Sequence, residues 1–175
     1  MTPETFADNQ SAYVCLGSNL GDRAGNLLLA VRGMMNAGLH VARLSSIYET
    51  QPVDVIDQPL FLNMVAELSG TMLPSPEQLL ARLLRVEYSL GRRRDAHTIR
   101  GAARIIDLDL LLYGDMQSDT EFLQLPHPRL HLRRFVLTPL AELAPHLSHP
   151  KLHKTIGELL ATTPDHSAVT RWQAR

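Results

Sequence analysis

Cysteine is almost absent: Cys15 is the only one in 175 residues. A lone thiol excludes an intramolecular disulfide and a cysteine-rich zinc site, and it suits a reducing compartment. No apolar run is long enough to span a bilayer. Residues Met1–Ser11 are polar and mixed in charge, without the basic and apolar regions of a signal peptide. The expectation is a soluble, cytoplasmic protein with no membrane partner. Charge of one sign is lacking too. The formal net charge is −1, which excludes whole-molecule attraction to nucleic acid or anionic lipid. Lysine is scarce, since of 17 Lys and Arg only Lys151 and Lys154 are lysine. Arginine is the better planar, bidentate binder of phosphate.

What is present reads as a flexible tail at 1–11 followed by a single domain at 12–175. Ala12–Leu16 is a short apolar run, expected as a buried strand. Asp22 can cap a helix whose apolar positions Leu27, Val31, Met34 and Met35 recur at helical spacing, with Gly38 ending it. Val41–Thr50 reads as a second strand. A loop with Pro52 and Pro59 follows, and long loops in compact domains are often functional. Phe61–Ser69 reads as a third strand, with Phe61, Asn63, Val65 and Glu67 on one face. Leu62, Met64, Ala66 and Leu68 lie on the other, the better core face. The clearest helix is Pro76–Leu90, with Ser75 as cap, Gln78 completing a capping box, a stripe of Leu79, Leu83, Val86 and Leu90, and Gly91 as stop. Ile105–Leu112 is the fourth strand. The order β-α-β-β-α-β predicts an α+β, ferredoxin-like core, an antiparallel sheet with helices on one face. Phe135–Leu143 and Thr155–Ala161 read as C-terminal helices.

The fourth strand carries the most informative pattern. Asp107 and Asp109 stand at i and i+2, so they share one face, while Ile106, Leu108, Leu110 and Leu112 take the other. Strand interiors disfavour Asp, and two neighbouring carboxylates repel unless a positive group lies between them. At ~6.5–7 Å along the backbone, such carboxylates can converge on metals. The separation of the two metals would be roughly 3.5–4 Å. All-oxygen ligation favours Mg²⁺, completed by water and substrate phosphates. A structural aspartate pair at a strand edge is the competing reading.

Arg92, Arg93, Arg94, Arg100 and Arg104 lead into the pair, five arginines within fourteen residues. Such a cluster repels itself unless neutralised. A di-acid at its end suggests a polyphosphate held between metal and guanidinium groups. RNA binding is a rival use of the charge, although few aromatics lie nearby for base stacking. His127, between Pro126 and Pro128, could donate to phosphate or act as an acid. The other histidines show no metal-ligand spacing; His149 and His153 stand at i and i+4 with Pro150 between them. Phe61 and Asn63 on one strand face could stack on and hydrogen-bond a flat heterocycle. Gly17-Ser18-Asn19-Leu20-Gly21 lacks the Gly-Lys-Ser/Thr of a Walker loop, so a nucleotide would be held by side chains and metal.

Together these motifs resemble the 6-hydroxymethyl-7,8-dihydropterin pyrophosphokinase family. The resemblance runs from about Ala12 to Pro145. It is carried by Leu16-Gly17-Ser18-Asn19-Leu20-Gly21, Ser45-Ser46-Ile47-Tyr48-Glu49-Thr50 and Asp57-Gln58-Pro59-Leu60-Phe61-Leu62-Asn63. It continues through Glu87, Gly91-Arg92-Arg93-Arg94, Arg104 to Gly114, and Pro126-His127-Pro128 with Arg133 and Phe135. The resemblance implies transfer of pyrophosphate from ATP to the pterin's hydroxymethyl oxygen, releasing AMP, a step of folate biosynthesis. It implies two Mg²⁺ ions on Asp107 and Asp109, with Arg92, Arg94 and Arg104 on the phosphates. Glu87 and Leu110 would line the adenosine side, and His127 and Arg133 would help hold ATP. Phe61 and Phe135 would sandwich the pterin, with Asn63, Thr50 and Val53 at its edge. The expected partners are these two small molecules, with no nucleic acid, and the expected state is a monomer.

The chain departs from that family in one place. Many members have an aromatic residue and Gly-Pro-Arg just before the aspartates, where this chain has Gly101-Ala102-Ala103-Arg104. The missing aromatic removes a lid over the pterin, which puts loop closure and full turnover in question while leaving the metal pair untouched. Gln51 also stands where proline is common.

Overall fold

The computed structural model describes residues 10–52, 57–71, 73–93 and 102–174. Strand β1 (Gln10–Ser18) leads through helix α1 (Arg23–Asn36) to β2 (Val41–Leu44), β3 (Tyr48–Thr50) and β4 (Phe61–Gly70). Helix α2 (Pro76–Ser89) connects to β5 (Asp107–Tyr113). Two short strands, β6 (Ser118–Asp119) and β7 (Gln124–Leu125), form a separate ribbon. Helices α3 (Arg134–Leu143) and α4 (Ile156–Thr162) and strand β8 (Val169–Arg171) complete the chain. The main sheet runs β5-β1-β4-β3-β8, with β2 also paired to β4. Its pairings are antiparallel, so the expected α+β antiparallel fold holds.

Asp22 caps α1 by accepting from Gly25 N–H at 3.0 Å. The buried stripe is Leu27, Ala30 and Met34; Met35, one residue past the stripe, is 59% exposed. Ser75 accepts from Gln78 N–H at 3.3 Å, one side of the expected capping box. Gly91 stops α2 at φ 94°, a left-handed conformation that glycine adopts without a Cβ penalty. Thr155 and Glu158 form a full capping box on α4.

Four expectations need correction. Val41–Thr50 is two strands rather than one, because Ser45 leaves the ladder: its hydroxyl accepts from Val65 N–H at 2.9 Å. The first strand starts at Gln10, paired with Gly70, so Gln10 and Ser11 belong to the sheet and not to a tail. Helices also cover both faces of the sheet. Leu62, Met64, Ala66, Leu108 and Leu110 pack with Leu27, Met34, Leu79 and Leu83 of α1 and α2. Tyr13, Cys15, Val65 and Leu111 pack with Val136, Leu137, Leu140 and Leu159 of α3 and α4. A bulge in the β1–β5 pairing at Tyr13/Val14 skips Leu111, so Leu112 joins the second face and Tyr113 the first. Leu112 therefore does not continue the Leu108–Leu110 face.

No helix among the described residues is long and apolar enough to cross a membrane.

Candidate active site

Sheet register gathers the site. Asp107 pairs with Gly17, Gly17 with Asn63, and Asn63 with Tyr48, one row across β5, β1, β4 and β3. Asp109 pairs with Cys15 and Cys15 with Val65 in the next row on that face. Gly17 is required in the middle: a Cβ there would stand 2.8 Å from Asn63 Oδ1. The amide of Asn63 is oriented by its Nδ2, which donates to the buried Thr50 hydroxyl at 2.7 Å. The α3/α4 half of this face is filled with apolar side chains, so the open half is the one bearing Asp107, Asn63 and Phe61.

The positive group between the carboxylates and their surroundings is arginine. Arg92 bonds Asp107 Oδ1 and, at 2.8 Å, Glu87 Oε1. It also donates to Ile106 O at 3.1 Å. Arg104 donates to Asp107 Oδ2 at 2.8 Å. Glu87 is 2% exposed and accepts a second bond, from Leu108 N–H at 2.8 Å. It therefore fastens the end of α2 to β5 while setting Arg92. Leu110 has its side chain in the α1/α2 core, so any contact it makes at the site goes through its backbone on the edge strand β5.

Asp109 is held differently. Burial, then the Asp107 charge, raise its pKa to about 7, against the pull of Arg133. The same surroundings push the Cys15 thiol well above its ordinary value, first by burial and then by Asp109 and Asp107. Cys15 is thus a packed thiol rather than a nucleophile. His127 packs on the edge of β5, donating its N–H to Leu111 O at 2.9 Å. Burial, then Arg133 and Arg129, lower its pKa to about 4. Its Nδ1 accepts from Arg129 N–H at 3.2 Å, which leaves the ring proton on Nε2. A neutral ring can donate to phosphate; it is a poor reservoir of acid at neutral pH.

Arg104 also lies over the Phe61 ring at 5.9 Å, and Arg133 over Phe135 at 5.4 Å. Arg94, Val53, Arg100 and Gly101 lie outside the described residues. Asn19 has a role that sequence reading left unassigned. It is 1% exposed; its Oδ1 accepts from Arg104 N–H at 2.7 Å, and its Nδ2 donates to Gln58 Oε1 and Pro59 O. It ties together the two loops that border the site. An asparagine just past the end of a strand carries little sign of this, because asparagine is ordinary where a chain enters a turn.

The donor set fits Mg²⁺. No group of three or more His, Cys, Asp and Glu among the described residues could hold a metal by itself. Mg²⁺ needs no such cage, since one or two carboxylates plus substrate phosphates suffice. Asp107 and Asp109 supply hard oxygens, and a dication between them would relieve the repulsion that raises Asp109.

Residues 13–145 match the family described as 7,8-dihydro-6-hydroxymethylpterin-pyrophosphokinase. The chain belongs to that family. The 2-amino-4-hydroxy-6-hydroxymethyldihydropteridine pyrophosphokinase of Bacillus subtilis is 44% identical over 136 residues, 77% of this chain and 78% of the relative. The folic acid synthesis protein fol1 of Pneumocystis carinii is 38% identical over 163 residues, 93% of this chain but 21% of the relative. The chain thus spans about a fifth of that longer protein. A Plasmodium falciparum HPPK-DHPS structure with pterin and p-hydroxybenzoate shares the fold at TM-score 0.65 and 16% identity, over 88% of this chain and 43% of that one.

Proposed function

We propose that the chain transfers pyrophosphate from ATP to 6-hydroxymethyl-7,8-dihydropterin, giving AMP and the pterin diphosphate, with Mg²⁺ bound by Asp107 and Asp109. The observation that carries this is one open sheet face on which an Asp107–Arg92–Arg104 cluster and Asp109 adjoin an oriented amide, Asn63, and an aromatic ring, Phe61. Membership of a pyrophosphokinase family and the names of its relatives support the reaction. The relatives' names also support a place in folate synthesis.

Phe61 and Phe135 would hold the flat pterin. Asn63 Nδ2 is already committed to Thr50, so its carbonyl, lying over Gly17, would accept from the pterin's ring nitrogens. Val53 would add backbone contacts at that edge. Arg92, Arg94, Arg104 and Arg133 would meet the polyphosphate, and His127 would donate to it from Nε2–H. Glu87 would reach the adenosine side chiefly by setting Arg92 and the β5 edge near Leu110. When bound, Mg²⁺ neutralises phosphate charge and acidifies the attacking alcohol. The protein's share is then alignment of alcohol and phosphate and exclusion of water. Arg92 and Arg104 are turned inward to Asp107 rather than displayed on an outer surface, which favours this reading over an RNA-binding module.

The deciding assay incubates purified protein with ATP, Mg²⁺ and the hydroxymethyl dihydropterin and resolves the nucleotide product. AMP is expected only when the pterin is present. ADP, or no AMP from folded protein, would overturn the proposal.

A further inference from the structure

The row that gathers the site does not stop at Asn63. Tyr48 of β3 is its direct partner across the β3–β4 ladder, and Tyr48 in turn pairs with Arg171 of β8. Directly opposed residues project to one face of a sheet, so the Tyr48 ring stands beside the Asn63 amide on the face that carries Asp107. Thr50, two residues on, shares that face, and its hydroxyl accepts from Asn63 Nδ2 at 2.7 Å. Asn63 therefore has Gly17 on one flank and Tyr48 on the other.

Strand β3 is three residues long, at the short end for a strand, so its ladder alone fixes it weakly. A second hold comes from α3. The Glu142 carboxylate accepts from the Tyr48 hydroxyl at 2.8 Å through Oε2 and from the Ser46 hydroxyl at 2.8 Å through Oε1. It also accepts from Ser46 N–H at 3.0 Å. Hydrogen bonds to an ionised acceptor are stronger than neutral ones. Burial, then the Glu142 bond and charge, raise the Tyr48 pKa, so the hydroxyl keeps its proton and donates. Burial works to raise the Glu142 pKa, but the Ser46 and Tyr48 bonds outweigh it and lower the value. Phe135 stands seven residues before Glu142, two turns up the same side of α3. One end of α3 thus carries the ring proposed for a wall of the pterin site. The other end grips the strand that sets Asn63.

We propose that Tyr48 and Glu142 are positioning residues of the acceptor site, which fix the spacing between the Asn63 amide on the sheet and the Phe135 ring on α3. The identity of the acceptor rests on the pterin reading above; the brace itself rests on the bonds between β3 and α3. Neither residue has to touch the reacting atoms. Both act through Thr50 and Asn63, and the arginine cluster on the far side of Gly17 stays out of their reach.

The test compares Tyr48→Phe, which removes one bond of the brace, with Glu142→Ala, which removes all of it, and Glu142→Gln, which keeps an uncharged acceptor. The KM for the pterin should rise about threefold to tenfold in Tyr48→Phe, the worth of one modest hydrogen bond, and at least as much in Glu142→Ala. The KM for ATP should stay within about twofold in both, below the effect of one such bond. Glu142→Gln should recover most of the loss. Adding Tyr48→Phe to Glu142→Ala should cost nothing more, because the bond is already gone. Two readouts need no turnover. Calorimetry of pterin binding to protein saturated with Mg²⁺ and a non-hydrolysable ATP analogue should show the same loss of affinity. The Asn63 side-chain amide signals of the ligand-free protein should shift in Tyr48→Phe and Glu142→Ala. Equal rises in the two KM values, an unmoved pterin affinity in folded Tyr48→Phe, or unmoved Asn63 signals would each overturn the brace. A parent protein that binds the pterin but makes no AMP would sink the proposed reaction alone, and the calorimetric comparison would still decide the brace. A parent that binds no pterin would overturn both.

Discussion

Asp109→Asn should stabilise the metal-free protein at alkaline pH, and the size of the gain follows from the site. Asp109 has its pKa raised from 3.8 to about 7, first by burial and then by Asp107. A carboxylate that is harder to ionise when folded contributes stability below its unfolded pKa, and that contribution is lost as pH rises through the folded value. The window is therefore roughly pH 4 to 7. About three units correspond to a ceiling of about 4 kcal/mol. Relaxation of the coupled pair and water entry reduce this, so a gain of roughly 1–3 kcal/mol at pH 8 is expected. The asparagine keeps the volume and cannot ionise. Urea unfolding with EDTA at pH 4.5, 6.5 and 8 measures it, read as the variant-minus-parent difference. His127 titrates with the opposite sign over a similar range, and because both proteins share it, the difference cancels it. The expected difference is near zero at pH 4.5 and grows with pH. A difference independent of pH, or a variant less stable than the parent at pH 8, would refute the electrostatic account of the pair.

Glu87→Gln should keep an acceptor for Leu108 N–H but lose the charge on Arg92, costing about 2–4 kcal/mol by thermal or urea melts and raising the KM for ATP; a loss below about 0.5 kcal/mol would mean the pair is incidental. Gly17→Ala should displace Asn63, costing about 1–3 kcal/mol and raising the KM for the pterin while that for ATP holds. His127 has a folded pKa lowered to about 4 by burial, Arg133 and Arg129, so it lends stability above about pH 6.5 that fades as pH falls towards 4. Relative to His127→Gln, the parent should lose up to about 3 kcal/mol across that window in urea titrations, and a parallel pair of curves would contradict the shift. Mg²⁺ and nucleotide should bind cooperatively: calorimetry should find Mg²⁺ at least about tenfold tighter with an ATP analogue present, and equal affinities would rule out an exchange of charge partners between Asp107 and the arginines.

The legible parts of the sequence are those governed by short-range period and capping. Asp22 and Ser75 announced α1 and α2 because a cap is a local event, and the two-residue repeat of β4 correctly set Leu62, Met64, Ala66 and Leu68 inward. The same repeat gave Asp107 and Asp109 a common face. It failed at Leu112 because a bulge is decided by the partner strand, here at Tyr13/Val14, and leaves no periodic trace in β5 itself. The second layer of helices was equally hidden. Val65 looked like part of a mixed outer face, and only the return of α3 across it makes that face core. The split of the second strand depends on a single side-chain bond from Ser45 to a strand distant in sequence. At the site, charged residues were easy to nominate, but their pairing was not. Nothing near Glu87 says that it holds both Arg92 and the Leu108 amide, and Asn19 works entirely through residues 39 to 85 positions away.

The pairing itself gives the site a logic beyond its list of residues. Without ligands, Asp107 is neutralised by Arg92 and Arg104, so the carboxylate that should meet a metal and the guanidiniums that should meet phosphate occupy one another. A metal arriving alone must compete with two cations for Asp107. A polyphosphate arriving alone must approach two acids to reach the arginines. On the proposed function, metal and polyphosphate arriving together would each supply the partner that the other displaces, so the internal pairs could be exchanged without leaving any charge buried alone. Glu87, paired with Arg92 at 2.8 Å, would remain as its anchor during such an exchange. Arg104 lies over the Phe61 ring as well as against Asp107. If, as proposed, Arg104 moves onto phosphate and the pterin stacks on Phe61, the same movement would uncover the ring and would link the opening of the acceptor site to the arrival of the nucleotide.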